Sequence, residues 1–288
     1  GQDGVGEPAV YDRDGDKMPE AVFVGDLSGK MWRVDYNKTN GLWEKAYGNQ
    51  PLYTPSGTGA PITAAPVITQ TGGHLYVVAG TGQYFSLADI SPSVQNYALG
   101  LFADQGPITD ADLLGQNFID NGKEVDAIYS SNKTLTQKIY QVSQNAIQSH
   151  HKGWRLKLLQ GQAIVSQPAI RRNKVATFTA VRTTPTGNVC SVNGSTALIA
   201  VDLKNGGQYD LPAFDTNKDG RFDNRDKVGG MLEIGGVIAP VNTSRKSTLN
   251  GNISVRNVLA GDIATVDVPM NTFDDSPFIR RISWREIF

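Results

Sequence analysis

Four segments of this chain open alike, on a proline set among small or apolar residues: Glu7-Pro-Ala-Val, Ala65-Pro-Val-Ile, Gln167-Pro-Ala-Ile and, more weakly, Ala239-Pro-Val. In the first three a short turn follows and then a second apolar run: Ala21-Val-Phe-Val-Gly, Leu75-Tyr-Val-Val-Ala-Gly or Val175-Ala-Thr-Phe-Thr. Proline donates no backbone hydrogen bond, so it fits the first residue of a strand and little else within a sheet. A chain that repeats this unit is a chain of antiparallel hairpins, and the pattern predicts an all-β fold.

A third strand is predicted in two of the units. It is Lys30-Met-Trp-Arg-Val-Asp35, reached through the turn Asp26-Leu-Ser-Gly29, and Leu198-Ile-Ala-Val-Asp202. Short sheets repeated around an axis protect their strand edges, which makes a modified, quinoprotein-like β-propeller the expected architecture and a β-sandwich the alternative. The units are spaced more widely than the roughly 40 to 50 residues of a minimal blade, so long decorated loops are expected. They are placed at Trp43 to Gly59, Thr81 to Asp120, Thr183 to Ser195 and Arg245 to Ser276. Only four openings are present, so 288 residues are expected to form one C-terminal propeller domain or part of a ring that an N-terminal segment completes. Helix signals are weak, the best being Ser91 to Leu99 with its early proline.

Composition closes off several functions. The 27 basic and 28 acidic side chains nearly cancel, so no basic coat for nucleic acid exists. No apolar run approaches the roughly 20 residues of a membrane-spanning helix. Cys190 is the single cysteine, which excludes an intrachain disulfide and a cysteine-based metal cluster. The start at Gly1, without methionine, reads as a cut from something longer that a signal peptide could have preceded.

Two aspartate loops carry the chemistry. In Asp215-Thr-Asn217-Lys-Asp219-Gly220-Arg221-Phe-Asp223-Asn-Arg-Asp226, oxygen side chains fall at positions 1, 3, 5, 9 and 12. Glycine stands at 6, and the Arg221 carbonyl is available at 7. Alternate spacing lets successive side chains of a tight loop converge on one point, and calcium suits such an irregular oxygen cage better than magnesium does. An Asx-rich surface turn explains the composition but not the spacing. Asp226 replaces the glutamate of an EF-hand and no entering helix precedes the loop, so the expectation is a clamp, not a sensor. The second loop is Asp12-Arg-Asp14-Gly-Asp16-Lys17-Met18-Pro-Glu20, with acids at 1, 3, 5 and 9 and the Met18 carbonyl at 7. Lys17 takes the place of glycine, at a position expected to need a left-handed backbone.

No catalytic constellation accompanies these loops. His74 is expected in a hairpin, and His150 and His151 in a polar linker. Gly80-Thr-Gly-Gln-Tyr84 lacks the lysine of a phosphate loop. Trp32 and Trp154 read as core residues and Trp43 as an exposed contact that could meet a carbohydrate or protein. Arg171, Arg172 and Lys174 form a small basic turn.

The strand openings and aspartate loops, together with Thr63-Ala-Ala-Pro-Val-Ile, Gly153-Trp-Arg-Leu, Gly194-Ser-Thr-Ala-Leu-Ile-Ala-Val-Asp202 and Ser283-Trp-Arg285, resemble the C-terminal domain of the type IV pilus-tip adhesin family, the PilY/PilC proteins. That resemblance implies a modified seven-bladed propeller behind a variable N-terminal region. It also implies a non-enzymatic role in pilus biogenesis, control of retraction, twitching motility, surface attachment and virulence. The implied calcium ligands are Asp215, Asn217, Asp219, the Arg221 carbonyl and Asp223. Implied partners are minor pilins or other pilus-tip subunits, the N-terminal region itself, and host or abiotic surfaces, at the pilus tip or outer membrane of a Gram-negative bacterium. An Arg-Gly-Asp tripeptide is absent. The alternatives are an extracellular calcium-stabilised scaffold unrelated to pili and, further off, a quinone-dependent dehydrogenase.

Overall fold

The computed structural model describes residues 4–83, 89, 95–130, 133–185, 192–236, 242–249, 252–260 and 265–271. Within them the fold is all-β apart from short 3-10 turns, with four sheets in chain order. The first is built on Ala9–Tyr11, Ala21–Gly25 and Met31–Asn37, and Leu42–Lys45, Tyr53–Thr54 and Ile108–Thr109 complete it. The second runs Leu114–Gln116, Gly153–Lys157, Tyr97–Phe102, His74–Gly80, Val67–Thr71. The third has seven strands, centred on the long hairpin Val175–Pro185 and Val192–Asp202, with Met231–Gly235 and Lys133–Tyr140 beside it. Asn242–Leu249, Asn252–Ala260 and Thr265–Asn271 make the fourth. Among the described residues no sheet closes on itself.

Side-chain alternation determines how the sheets stack. Successive residues of a strand face opposite sides. In the second sheet Leu75, Val77, Ala79, Leu99 and Leu101 share a core with Ala21, Phe23 and Met31 of the first. Their neighbours Tyr76, Val78, Ala98 and Phe102 share another with Ala176, Phe178, Ala180, Ala197 and Ile199 of the third. From the third, Leu198, Ala200, Leu232 and Ile234 pack with Phe214 and with Met270 of the fourth. The inner two sheets are therefore buried on both faces. The first sheet is not: Ala21, Phe23 and Gly25 are buried while Val22 and Val24 are half-buried, and Val10 beside Val22 is exposed.

Several expectations are corrected. Tyr97–Phe102 is a strand, which removes the C-terminal part of the helix expected over 91–99; residues 91–94 lie outside the described set. Three expected loops contain strand. Trp43 lies in Leu42–Lys45, the hairpin to Asp202 occupies most of 183–195, and the fourth sheet replaces the loop over 245–276. The expected loop 81–120 holds three strands of its own. Cys190, Tyr84, the opening at 239–241 and the final strand at 283–287 with Trp284 lie outside the described residues.

Trp154 is fully buried, as expected, and its Nε1 donates to the Leu203 carbonyl at 2.8 Å. Trp32 instead lies half-buried on the outward side of the first sheet, where its Nε1 donates to Asp26 Oδ2 at 2.9 Å and the Lys45 ammonium sits 5.3 Å from its ring. Trp43 is 46% exposed and meets Tyr36 across the hairpin, at 5.3 Å between ring centres.

Candidate metal loops

Both aspartate loops join antiparallel strands of one sheet, and their local backbone follows the same plan. The first joins Ala9–Tyr11 to Ala21–Gly25, closed at its base by the Glu20 amide donating to the Tyr11 carbonyl at 2.9 Å. The second lies between Val192–Asp202 and Met231–Gly235.

Position 1 organises each loop. Asp12 accepts the amides of Gly15 at 2.7 Å and Lys17 at 2.9 Å. Asp215 accepts the amide of Gly220 at 2.9 Å and also that of Lys218, the same two loop positions. Position 3 accepts the amide of position 5, from Asp16 to Asp14 at 3.2 Å and from Asp219 to Asn217 at 3.1 Å. Position 5 accepts the amide of position 7, from Met18 to Asp16 at 2.7 Å and from Arg221 to Asp219 at 2.9 Å.

Positions 4 and 6 are left-handed in both loops, and each loop gives glycine to only one of them. Gly15 and Lys17 have φ of 78° and 72°; Lys218 and Gly220 have 58° and 80°. The left-handed backbone expected at Lys17 is thus present, and the glycine of the first loop stands two residues earlier.

The charge distribution separates the two. Asp12, Asp14 and Glu20 each place one carboxylate oxygen within 4.8 Å of the others, a spacing that a divalent cation can span. Glu20 also accepts the Arg13 amide at 2.7 Å and Lys38 Nζ at 3.1 Å, and these bonds hold its carboxyl below the usual range. In the second loop Arg225 lies on the carboxylates. Its Nη2 is 2.7 Å from Asp219 Oδ2 and 2.7 Å from Asp223 Oδ2, and the hydrogen bonds from Arg225 bring the Asp223 pKa down to about 2. Asp215 moves the other way, raised by burial and by the nearby Asp226 and Asp219. Its Oδ1 is buried without a hydrogen-bond partner among the described residues, an orphaned oxygen that a cation would satisfy.

Asp226 is buried and braces the loop. Its Oδ1 accepts the Thr216 amide at 2.7 Å and its Oδ2 the Asp223 amide at 3.1 Å. The loop is tied to the edge strand Lys123–Ser130, where Lys218 donates to the Ala127 carbonyl and Lys227 to the Glu124 carbonyl, the latter at 2.8 Å. The bracing role of Asp226 and the position of Arg225 carry no spacing signal in the sequence.

A second polar centre escaped sequence reasoning because its members come from four strands. Glu233, buried, accepts Tyr140 Oη at 2.7 Å, Ser195 Oγ at 2.6 Å and the Arg182 guanidinium, beside an open pocket that Lys138 and Thr136 also line. Burial and the hydrogen bond to Glu233 raise the Tyr140 pKa. The histidines are peripheral. His74 pairs with Asp104 at 2.9 Å, and His150 and His151 adjoin in a turn.

No family model matches the chain. A PilY1 homolog of Xylella fastidiosa, named as a type IV pilus biogenesis factor, is 24% identical over 287 residues, covering 94% of this chain and 21% of that protein. The type IV pilus biogenesis factor PilY1 of Pseudomonas aeruginosa PAO1 is 24% identical over 266 residues, covering 77% of this chain and 22% of its own length. The chain thus spans about a fifth of the curated relatives it matches. The crystal structure of the P. aeruginosa PilY1 C-terminal domain superimposes with a TM-score of 0.71 at 21% identity, over 94% of this chain and 61% of that one. These similarities are to pilus factors and not to the quinone-dependent dehydrogenases weighed above. In sequence the chain is similar to the type IV pilus biogenesis factor PilY1, and in fold it is similar to the C-terminal domain of the P. aeruginosa protein.

Proposed function

We propose that this chain is a calcium-clamped, non-enzymatic β domain that serves type IV pilus biogenesis and surface attachment outside the inner membrane. The observation that carries the reading is the hydrogen-bond plan that the two aspartate loops share at positions 1, 3 and 5, Asp12, Asp14 and Asp16 in the first and Asp215, Asn217 and Asp219 in the second, with a Glu20 oxygen within 4.8 Å of those of Asp12 and Asp14. Calcium, when bound, supplies positive charge and oxygen coordination to a loop otherwise under like-charge repulsion. The carbonyls of Met18 and Arg221 are the proposed main-chain ligands, with Asp226 holding the second loop closed from behind.

The serial face-to-face packing of the sheets supports reading the architecture as part of a modified propeller, completed by chain beyond these 288 residues. The stated names of the relatives support the pilus role, and with it partners such as minor pilins or other tip subunits and a host or abiotic surface. Calcium control of retraction follows if the second loop changes its hold on the edge strand Lys123–Ser130.

Melting in calcium and in chelator tests the clamp. At a hundred times the dissociation constant a ligand specific to the folded state adds about 2.7 kcal/mol, a rise in melting temperature of roughly 5 °C for a domain of this size. Identical melting in the two conditions would remove the clamp, and a rise that survives Asp215→Asn together with Asp12→Asn would place it elsewhere.

A further inference from the structure

In the second loop, oxygens proposed as cation ligands already hold a cation, supplied by the chain itself. Arg225 Nη2 lies 2.7 Å from Asp219 Oδ2 and 2.7 Å from Asp223 Oδ2. Its Nε is 3.1 Å from Asp223 Oδ1 and 3.2 Å from Oδ2. A forked guanidinium matches a carboxylate plane in a way that a lysine ammonium does not. The residues at positions 5 and 9 of the loop are thereby drawn together by a monovalent group that is 55% exposed and free to swing into solvent.

The neighbouring bonds show that this arrangement leaves the cage intact. Asp226, the next residue, is fixed by the Thr216 and Asp223 amides, and Asp215 by the Gly220 amide, none of which involves Arg225. Asp215 Oδ1 keeps no partner among the described residues. Arg225 thus neutralises the outer carboxylates, and the inner one is left for an ion.

We infer that Arg225 is a tethered counter-cation of the second loop: it keeps the empty loop folded, competes with the divalent ion for Asp219 and Asp223, and turns its guanidinium outward when the ion enters. This rests on the calcium reading above and adds its regulation. Two effects follow from one residue. The loop is protected from unfolding without calcium, and its affinity is set below what its oxygens alone would give. The ion that binds must displace a charge held at two carboxylates, so occupancy also changes which charge the surface presents to a partner.

The test is a calorimetric calcium titration of the 288-residue chain, the Asp12→Asn variant as background so that one loop is read, with and without Arg225→Gln, and with Asp215→Asn as a third arm. Melting in chelator and in saturating calcium is measured alongside. The expected result is that Arg225→Gln tightens calcium binding by about two- to fivefold, the range for losing an exposed ion pair that competes with the ligand. The same variant is expected to melt below its parent in chelator and no lower than its parent in calcium. Unchanged or weaker binding in Arg225→Gln, while Asp215→Asn abolishes it, would overturn the role of Arg225 and leave the site standing. Binding that persists in Asp215→Asn would overturn the site itself, and the inference with it.

Discussion

Trp154 shows how much of this fold rests on single side chains. The indole lies between a strand glycine and a turn glycine: a Cβ on Gly100 would stand 2.2 Å from it and one on Gly206 2.3 Å from it. Its Nε1 satisfies the Leu203 carbonyl, so the ring both fills the core and closes a turn. Trp154→Phe is expected to cost about 2–4 kcal/mol, by lost volume and by a carbonyl left without its donor. Denaturant unfolding measures it, and a loss below 1 kcal/mol would mean water replaces the indole. Asp112 is a milder case with a pH signature. Its Oδ2 accepts both the amide and the hydroxyl of Thr109 at 2.8 Å, and chiefly the amide bond holds its pKa below the ordinary value. A depressed carboxylate stabilises above its unfolded pKa, near 3.9, and that contribution fades as pH falls through the folded value. Asp112→Ala should therefore lower stability by about 0.5–1 kcal/mol at pH 7, and the gap to the parent should narrow below pH 4. A gap constant from pH 7 to pH 3 would show that the carboxylate charge is irrelevant.

Among the elements, the two aspartate loops make a matched pair in which glycine and non-glycine exchange places. At Gly220 the left-handed φ of 80° means any side chain is strained, and Gly220→Ala should cost about 1–2 kcal/mol. Gly115→Ala, where no positive φ is recorded and a Cβ meets nothing, should be neutral. Lys17→Gly runs the comparison backwards, relieving the left-handed lysine and bringing the first loop closer to the second. Equal melting of Gly220→Ala and its parent would show that the loop adopts another backbone in solution. This exchange was partly legible in the sequence, because Lys17 stands where the spacing calls for glycine. The strand Tyr97–Phe102 was not legible. Tyr-Ala-Leu-Gly-Leu-Phe is buried on both faces between the two cores, so it lacks the alternation that marks a half-buried strand, and a serine-proline start upstream suggested a helix. Asn242–Leu249 escaped for the opposite reason: Asn-Thr-Ser-Arg-Lys-Ser-Thr-Leu carries almost no apolar pattern at all. Arg225 was visible only as a charge near carboxylates, since which acid it grips is decided by loop geometry.

At the scale of the whole molecule, the stacking order carries a dynamic consequence. Sheets buried on two faces open only when two cores are broken, whereas a sheet covered on one face can loosen by losing one. The hairpin Val175–Pro185 with Val192–Asp202 faces both inner cores, and His74–Gly80 with Tyr97–Phe102 does the same one layer earlier. The hairpin Met31–Lys45 has the other arrangement. Trp32, Val34, Tyr36 and Trp43 lie outward beside Val22 and Val24, with Leu42 60% exposed and Trp43 46% exposed at the tip. Amide exchange followed by mass spectrometry should therefore be slowest in peptides over 74–80, 97–102, 175–181 and 196–202, and faster by orders of magnitude over 31–37 and 42–45, although every one of these segments is regular strand. Calcium should slow the peptides over 12–20 and 215–226 most, with 123–127 following the second loop because Lys218 and Lys227 tie that strand to it. Uniform protection across all three sheets would mean the outward face of the first is covered in solution. Calcium protection confined to the loops themselves would mean the two lysine tethers transmit nothing to the sheet, and the proposed link from ion to edge strand would have no physical carrier.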